Sequence, residues 1–351
     1  MSLPLSAPYP PMEALLVEKI PVGKEWQYEP KWDGFRCLVF RQGESVALQS
    51  KSGQSLARYF PEVVENIRSV PAKTFVLDGE IVVPVGEELS FDDLLQRIHP
   101  AESRIRKLSQ ERPARLIVFD MLVDTTGHLL VGRPLRERRR ALEAFARGHL
   151  SGVRDVQLSP VTSEVKVARE WLRGAGGAVD GIVAKRMDLE YRSGERTGMQ
   201  KVKRYRSVDC VVGGFRYASR ARVLGSLLLG LYDRAGLLHH VGFAAGFSAA
   251  TRRALLEKVR PLIKPPGFTG QAPGGPSRWS TRRSTEWEPL APKLVVEVAY
   301  DHFTGGRFRH GTRFLRWRSD KAPRGCTIDQ VTGVPRSRPM TPRPLAGSKA
   351  R

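Results

Sequence analysis

Cysteine is scarce. The three in the chain, Cys37, Cys210 and Cys326, are scattered with no CxxC pair, which argues against a zinc cluster and fits a reducing compartment. No run of 18 apolar residues occurs, so no helical membrane span is expected. The opening "MSLPLSAPYPPMEALLVEKI" lacks a basic stretch followed by an apolar run, so it does not read as a secretory leader. Acidic residues are also few: 36 Asp and Glu stand against 58 Lys and Arg, for a formal charge of +22 and a pI near 10.4. That imbalance exceeds what solubility needs and points to a phosphate-rich partner. Lysine is the rarer base, 15 against 43 Arg. Arginine's fork matches phosphate oxygens, although a GC-rich genome would give the same excess.

What is present is enough apolar material, 41% of 351 residues, for packed cores in two domains. A Pro-rich, extended lead-in is expected over 1–24. From 25 to 205, β-like runs at 36–42, 45–50, 75–85, 114–123, 178–185 and 200–205 alternate with helix-like pieces at 60–68, 90–98, 135–147 and 163–174. Strands follow strands too often for a doubly wound fold, so the expectation is α+β with antiparallel sheets. The pattern resets near 204–208. Over 206–332, "DCVVGGFRYA", "LGSLLLGLYD" and "LLHHVGFAAG" precede one helix at 248–262 and further strands at 293–300 and 313–318, which predicts a small β-barrel of the OB type. Residues 333–351 have almost no core formers and read as a disordered basic tail.

One stretch asks for chemistry. In "EPKWDGFR" (29–36), Lys31 stands between Glu29 and Asp33, with Arg36 close behind. A free lysine is only about 0.04% neutral at pH 7, a penalty of roughly 4.6 kcal/mol for a nucleophile. Carboxylates deepen that penalty, whereas desolvation and neighbouring cations relieve it. Lys185 in "DGIVAK" and Lys201 and Lys203 in "QKVK" are available cations, and a bound Mg²⁺ would help further. Period-2 spacing puts Lys201 and Lys203 on one face of a strand, where both could meet one phosphate.

Singly these signals are weak. KxDGxR alone is more often a charged hairpin, "LDGE" (77–80) and "DGIVAK" turns beside strands, and Phe119 in "VFDM" plain core. As an ordered set they resemble the covalent nucleotidyltransferases, in particular the ATP-dependent DNA ligases. "EPKWDGFR" is similar to that family's first motif, "SKSG" (50–53) to the next, then "LDGE", "VFDM", "DGIVAK" and "QKVK", with "RFLRWRSDK" (313–321) like the last. The likeness spans about 25 to 325 and is nearest the small bacterial C-type ligases and the ligase modules of end-joining proteins.

The resemblance implies a nucleotidyltransferase (ATP-grasp-like) domain followed by an OB-fold domain. It implies that Lys31 is adenylated, that Glu29 contacts the adenine edge and that Phe119 stacks on the ring. Arg36 and Glu80 would hold the ribose and its surroundings. Asp180, with Glu80, would hold Mg²⁺, for which Mn²⁺ can substitute. Lys185, Lys201 and Lys203 would face the nucleotide phosphates. Lys51 would touch a phosphate at the nick, and Arg313 and Arg316 the DNA. Arg318 and Lys321 would orient pyrophosphate as the second domain swings over the pocket. Two positions depart from the pattern: Asp180 stands where the family has Glu, and Lys51 where it has Arg.

The expected activity is therefore sealing of nicked duplex DNA with ATP, in repair, by a monomeric cytoplasmic, nucleoid-associated enzyme. The alternatives are an RNA ligase or an mRNA capping guanylyltransferase, which share KxDGxR, and a non-enzymatic nucleic-acid-binding protein. Against capping, the chain carries no phosphatase or methyltransferase portion. Label from ATP rather than GTP separates the first two readings, and absence of covalent AMP would mark the third.

Overall fold

The computed structural model describes residues 3–86, 88–175, 179–218, 221–274 and 286–332, and the tail expected over 333–351 lies outside them. The described residues form two compact units, one up to Arg204 and one from Tyr205.

The first unit is built on two sheets. One has four strands in the order Leu15–Leu16, Met199–Lys203, Val179–Arg186, Trp26–Trp32. The other has five: Ser45–Ser50, Phe35–Gln42, Thr74–Val82, Arg115–Val123, Val156–Leu158. Antiparallel pairing dominates, as the pattern predicts, with two exceptions. Leu15–Leu16 runs parallel to Met199–Lys203, and Val156–Leu158 runs parallel to Arg115–Val123. The second exception follows from the helix Leu135–His149, which carries the chain back between those two strands.

Alternation along each strand assigns its faces. In Trp26–Trp32, Trp26 and Tyr28 pack with Ile182, Ala184 and Val202 against Ala168, Trp171 and Leu172 of the helix Val165–Gly174. Glu29 and Lys31, on the opposite face, line a cleft. On the five-stranded sheet, Val39, Leu77 and Met121 pack on one side with Ile67, Leu142 and Phe145 from the helices Pro61–Ser69 and Leu135–His149. Leu38, Phe40, Val76 and Leu122 on its other side meet Met12, Tyr191 and Met199. A buried pair, Arg138 on Asp120 at 2.8 and 2.9 Å, ties the helix Leu135–His149 to the strand carrying Phe119.

The second unit overturns the barrel expectation. Its sheet has the path Leu238–Ala244, Ala221–Tyr232, Arg206–Ala218, Val295–Tyr300, Arg313–Trp317, with Glu288–Pro289 beside Arg206–Ala218. Among the described residues the path does not close. Near the two ends, only an isolated bridge joins Ala244 to Thr312. Bulges after Val212, Arg216, Leu229 and Glu297 bend the strands around a core of Val211, Leu227, Leu229, Leu231 and Val296. Along Leu238–Ala244, the short hairpin Phe303–Thr304/Arg307–Phe308 sets Arg307 on His240 and Phe308 under Gly242. Hydrophobic alternation counts strands but does not say which edges pair, so the closure inferred from strand count does not hold. The helix Ala249–Val259 is capped by Ser248, whose hydroxyl accepts from Thr251 N, and buries Leu255 and Val259 on the same core. No helix among the described residues is long and apolar enough to cross a membrane.

Candidate active site

The cleft of the first unit, about 200 Å³, is lined by Glu29, Lys31, Arg36, Lys51, Glu80, Phe119, Lys185 and Lys201, and by Pro11–Ala14 of the N-terminal segment. Eight residues singled out from sequence thus meet in one place, although they span 29 to 201. Strand register explains the convergence. Glu29 pairs with Val183 and Val183 with Lys201, while Lys31 pairs with Gly181 and Gly181 with Lys203. The floor of the cleft is therefore a grid on which lysines from the two outer strands flank a central one.

That central strand is shaped by "DG". The register shifts between Val179 and Gly181, leaving Asp180 in a bulge. Its buried carboxylate accepts from Lys31 Nζ at 2.6 Å and lies 3.2 Å from Lys203 Nζ. Gly181 has φ +155°, and a Cβ there would lie 2.1 Å from the carbonyl oxygen of Val202. Only glycine lets the strand pass so close while aiming Asp180 at two lysines. Gly34 has a similar function beside Lys31: a side chain would lie 2.2 Å from the carbonyl oxygen of Ile81.

Lys31 is 22% exposed. The cations expected around it are present. Lys201 has its pKa lowered, first by burial and then by the charges of Lys31, Lys203, Lys51 and Arg196. Lys185, almost wholly buried, donates to Glu29 at 2.8 Å, and Gln27 donates to the other Glu29 oxygen at 3.0 Å. Lys185 Nζ also lies 4.3 Å from the centre of the Phe119 ring, and the Arg36 guanidinium 4.7 Å from it. Both are within cation–π range.

Arg36 is fixed by a fork on Asp78, both bonds at 2.5 Å, and donates to the Met12 carbonyl at 3.2 Å. Tyr191 donates to the same Asp78 carboxylate at 2.7 Å and accepts from Met12 N at 2.9 Å. Burial holds the Tyr191 hydroxyl well above its ordinary pKa. Across the strand pair from Arg36 stands Glu80. Burial pushes its carboxyl up to about 7, against the pull of Arg36 and Lys31.

Glu80 and Asp180 offer hard oxygen donors of the kind Mg²⁺ prefers. Among the described residues no group of three or more His, Cys, Asp or Glu is arranged to hold a metal. Two carboxylates suffice for an ion that takes the rest of its shell from water and substrate phosphates. A buried carboxyl that resists ionisation, as Glu80 does, gains most from a cation, so the donor set fits.

The C-terminal candidates lie in the second unit. Arg318 Nη1 is shared between the two Asp209 oxygens at 2.9 and 3.0 Å while its Nη2 donates to Asp320, and Lys321 reaches Asp209 at 2.8 Å and Gln330 at 3.1 Å. Asp209 thus gathers both cations of "RSDK". Arg316 pairs with Glu297 at 2.7 Å, and Arg313 lies over Tyr205 at 5.8 Å.

Sequence reading missed several participants. Gln27 has the same parity as Glu29 and Lys31 in one strand, a signal that was available. Asp78 stands inside the quoted "LDGE". Met12, Glu13 and Tyr191 reach the cleft only through long-range packing, and nothing local marks them.

Comparison with known proteins agrees with this geometry. Residues 11–203 match the ATP dependent DNA ligase domain, and residues 220–321 the ATP dependent DNA ligase C terminal region. DNA ligase C1 of Mycolicibacterium smegmatis is 43% identical over 342 residues, 94% of this chain and 96% of the relative. DNA ligase C of Mycobacterium tuberculosis is 40% identical over 360 residues, 97% of each. A solved structure from a structure–function study of Lig E DNA ligases shares the fold, with a TM-score of 0.54 at 18% identity over 88% of this chain and 100% of that one. The chain belongs to the ATP-dependent DNA ligases, of the kind formed by the bacterial C-type enzymes.

Proposed function

We propose that Lys31 is the residue on which this ligase carries AMP. The enzyme seals nicks by adenylylation in DNA repair, and the family uses ATP with Mg²⁺ or Mn²⁺. Lys31 Nζ attacks the α-phosphorus of ATP, forming a phosphoramidate as pyrophosphate leaves. The 5′-phosphate at the nick then takes the AMP from Nζ, and the 3′-hydroxyl closes the phosphodiester as AMP departs.

The observation that carries this reading is the placement of Lys31. It stands on the cleft floor, oriented by Asp180 at 2.6 Å, with Lys203 on the same carboxylate. Asp180 fixes where Nζ points. Lys201 and Lys203 add positive charge that suits phosphate oxygens. Phe119 presents an aromatic face for adenine, with Glu29 as a polar acceptor at its edge, and Arg36 and Glu80 bound the ribose region. Lys185 covers Phe119 and must give way to a base. Glu80 and Asp180 would hold the metal, which when bound neutralises charge on the transferring phosphate. Lys51 meets a phosphate of the nick. In the second unit, Arg313 and Arg316 serve DNA, and Arg318 and Lys321 the pyrophosphate.

Intact mass after incubation with ATP and Mg²⁺ tests the reading. The expected result is a gain of one AMP, absent with GTP and absent in Lys31→Ala. A gain of AMP on another residue, with Lys31 unmodified in the digest, overturns it.

A further inference from the structure

Glu13 belongs to the cleft wall but has no part in the reaction described above. Its two oxygens hold two cations at the mouth of the cleft: Oε1 lies 3.0 Å from Lys51 Nζ, and Oε2 accepts from Arg196 Nε at 3.1 Å. The anion is anchored and the cations are not. Glu13 N donates to the Glu195 carbonyl at 2.8 Å, Met12 N to Tyr191, and Ser193 to the Pro10 carbonyl at 2.6 Å, so the segment 10–13 is pinned to 191–195. Glu13 is 25% exposed, against 58% for Lys51 and 65% for Arg196. Lys51 sits in the turn after Ser50, on a flexible stem. These cations hold the Glu13 carboxyl below its ordinary range, so it is an anion at neutral pH.

We propose that Glu13 is a specificity-determining residue: a built-in counter-ion that only a terminal phosphate displaces from Lys51. The inference rests on the assignment of Lys51 to the nick. A 5′-terminal phosphomonoester carries nearly two negative charges and three free oxygens at neutral pH. A phosphodiester inside a strand carries one, like the carboxylate it would have to replace. Exchanging Glu13 for a diester leaves the local charge balance unchanged and gives up a preorganised contact. Exchanging it for a monoester adds about one charge to the interaction with Lys51 and offers more acceptors. Glu13 therefore raises the threshold for every phosphate and raises it least for a phosphorylated 5′ end. Intact duplex, which greatly outnumbers nicks, is the competitor that this arrangement rejects.

The test measures dissociation constants at one fixed salt concentration for three duplexes: a nick with 5′-phosphate, a nick with 5′-hydroxyl, and no nick. Full-length wild type, Glu13→Gln, Glu13→Ser and Lys51→Ala are compared, each checked for an unchanged melting temperature. Both Glu13 variants should bind all three duplexes more tightly, the hydroxyl nick and intact duplex most. The preference for the phosphorylated nick should shrink by about two- to fivefold, the range expected of an exposed ion pair. A preference in the folded Glu13 variants that equals or exceeds wild type, while Lys51→Ala loses it, overturns the assignment of Glu13 alone. If Lys51→Ala keeps the wild-type preference, the nick assignment of Lys51 fails, and the Glu13 proposal fails with it.

Discussion

Asp180 and Lys31, 149 residues apart in the chain, meet at 2.6 Å on adjacent strands. The contact exists because a bulge lifts Asp180 out of the ladder beside a glycine that no side chain can replace. It fixes the direction of the amine. Lys203 on the same oxygen is the partner that would take over the carboxylate if, as proposed, Lys31 becomes linked to AMP.

Lys31→Ala should therefore abolish AMP loading and joining of a plain nick. It should still seal a nick whose 5′ end is already adenylated, because that step needs the cleft but no nucleophile. Lys31→Arg should be as inactive as alanine in loading, since a guanidinium stays protonated and cannot attack. Loading by Lys31→Arg, read by intact mass, would contradict this.

Glu80 gives a signed dependence on pH. Its carboxyl titrates near 7 in the folded protein instead of at the ordinary 4.5. Between those values the unfolded chain has lost a proton that the folded chain keeps, so stability falls as pH rises through that window and then levels off. Glu80→Gln removes the penalty. In metal-free protein the variant should gain up to about 3 kcal/mol over wild type at pH 8 and almost nothing at pH 4.5. Its ligation should nevertheless fall. Denaturant titration at the two pH values checks it, and an equal gain at both would be the wrong outcome.

The pair Lys185–Glu29 makes a different kind of claim. Both residues are under 5% exposed, and Gln27 donates to the other oxygen of the same carboxylate. Removing one charge leaves the other buried, at a cost of roughly 3–5 kcal/mol, whereas removing both is far milder. Lys185→Met should lower the melting temperature more than the double variant Glu29→Gln/Lys185→Met. A double variant less stable than Lys185→Met would show that the pair does not work this way.

Arg318 and Lys321 share Asp209. If they serve the departing pyrophosphate, Arg318→Ala and Lys321→Ala should slow AMP loading at least tenfold, roughly 1.4 kcal/mol of barrier. Both should spare sealing of pre-adenylated nicks. Arg316→Ala, which removes the pair with Glu297 at a position assigned to DNA, should load AMP normally and is the control for the loading step alone. Normal loading with failed sealing in the two variants would assign them to DNA instead.

Much of the cleft was legible because its chemistry is written in short runs with period-2 spacing. Lys201 and Lys203 were placed on one face by alternation alone, and both take part in the lysine grid. Lys31 is expected to need cations, and Lys201, its pKa lowered first by burial and then by the charges of Lys31, Lys203, Lys51 and Arg196, stands among them. Three things were not legible. The parallel strand Val156–Leu158 depends on a crossover helix, which local alternation does not encode. The closure of a sheet depends on its two edge strands, and here Leu238–Ala244 and Arg313–Trp317 stay apart apart from the bridge near their ends. Glu13 and Tyr191 reach the site through contacts across more than a hundred residues or through a loop, where no periodicity exists to read.

The two-faced strands under the cleft also set how this enzyme can diverge. Trp26 and Tyr28 point to a helix, and Glu29 and Lys31 to the cleft, so neighbouring positions answer to different demands. Point substitutions on one face leave the other alone. A single inserted or deleted codon within 26–32 or 179–186 would do the opposite: it would turn the lysine into the apolar layer and the aromatics toward the cleft. Drift in these segments is thus confined to replacement, and length changes must accumulate in the turns between them.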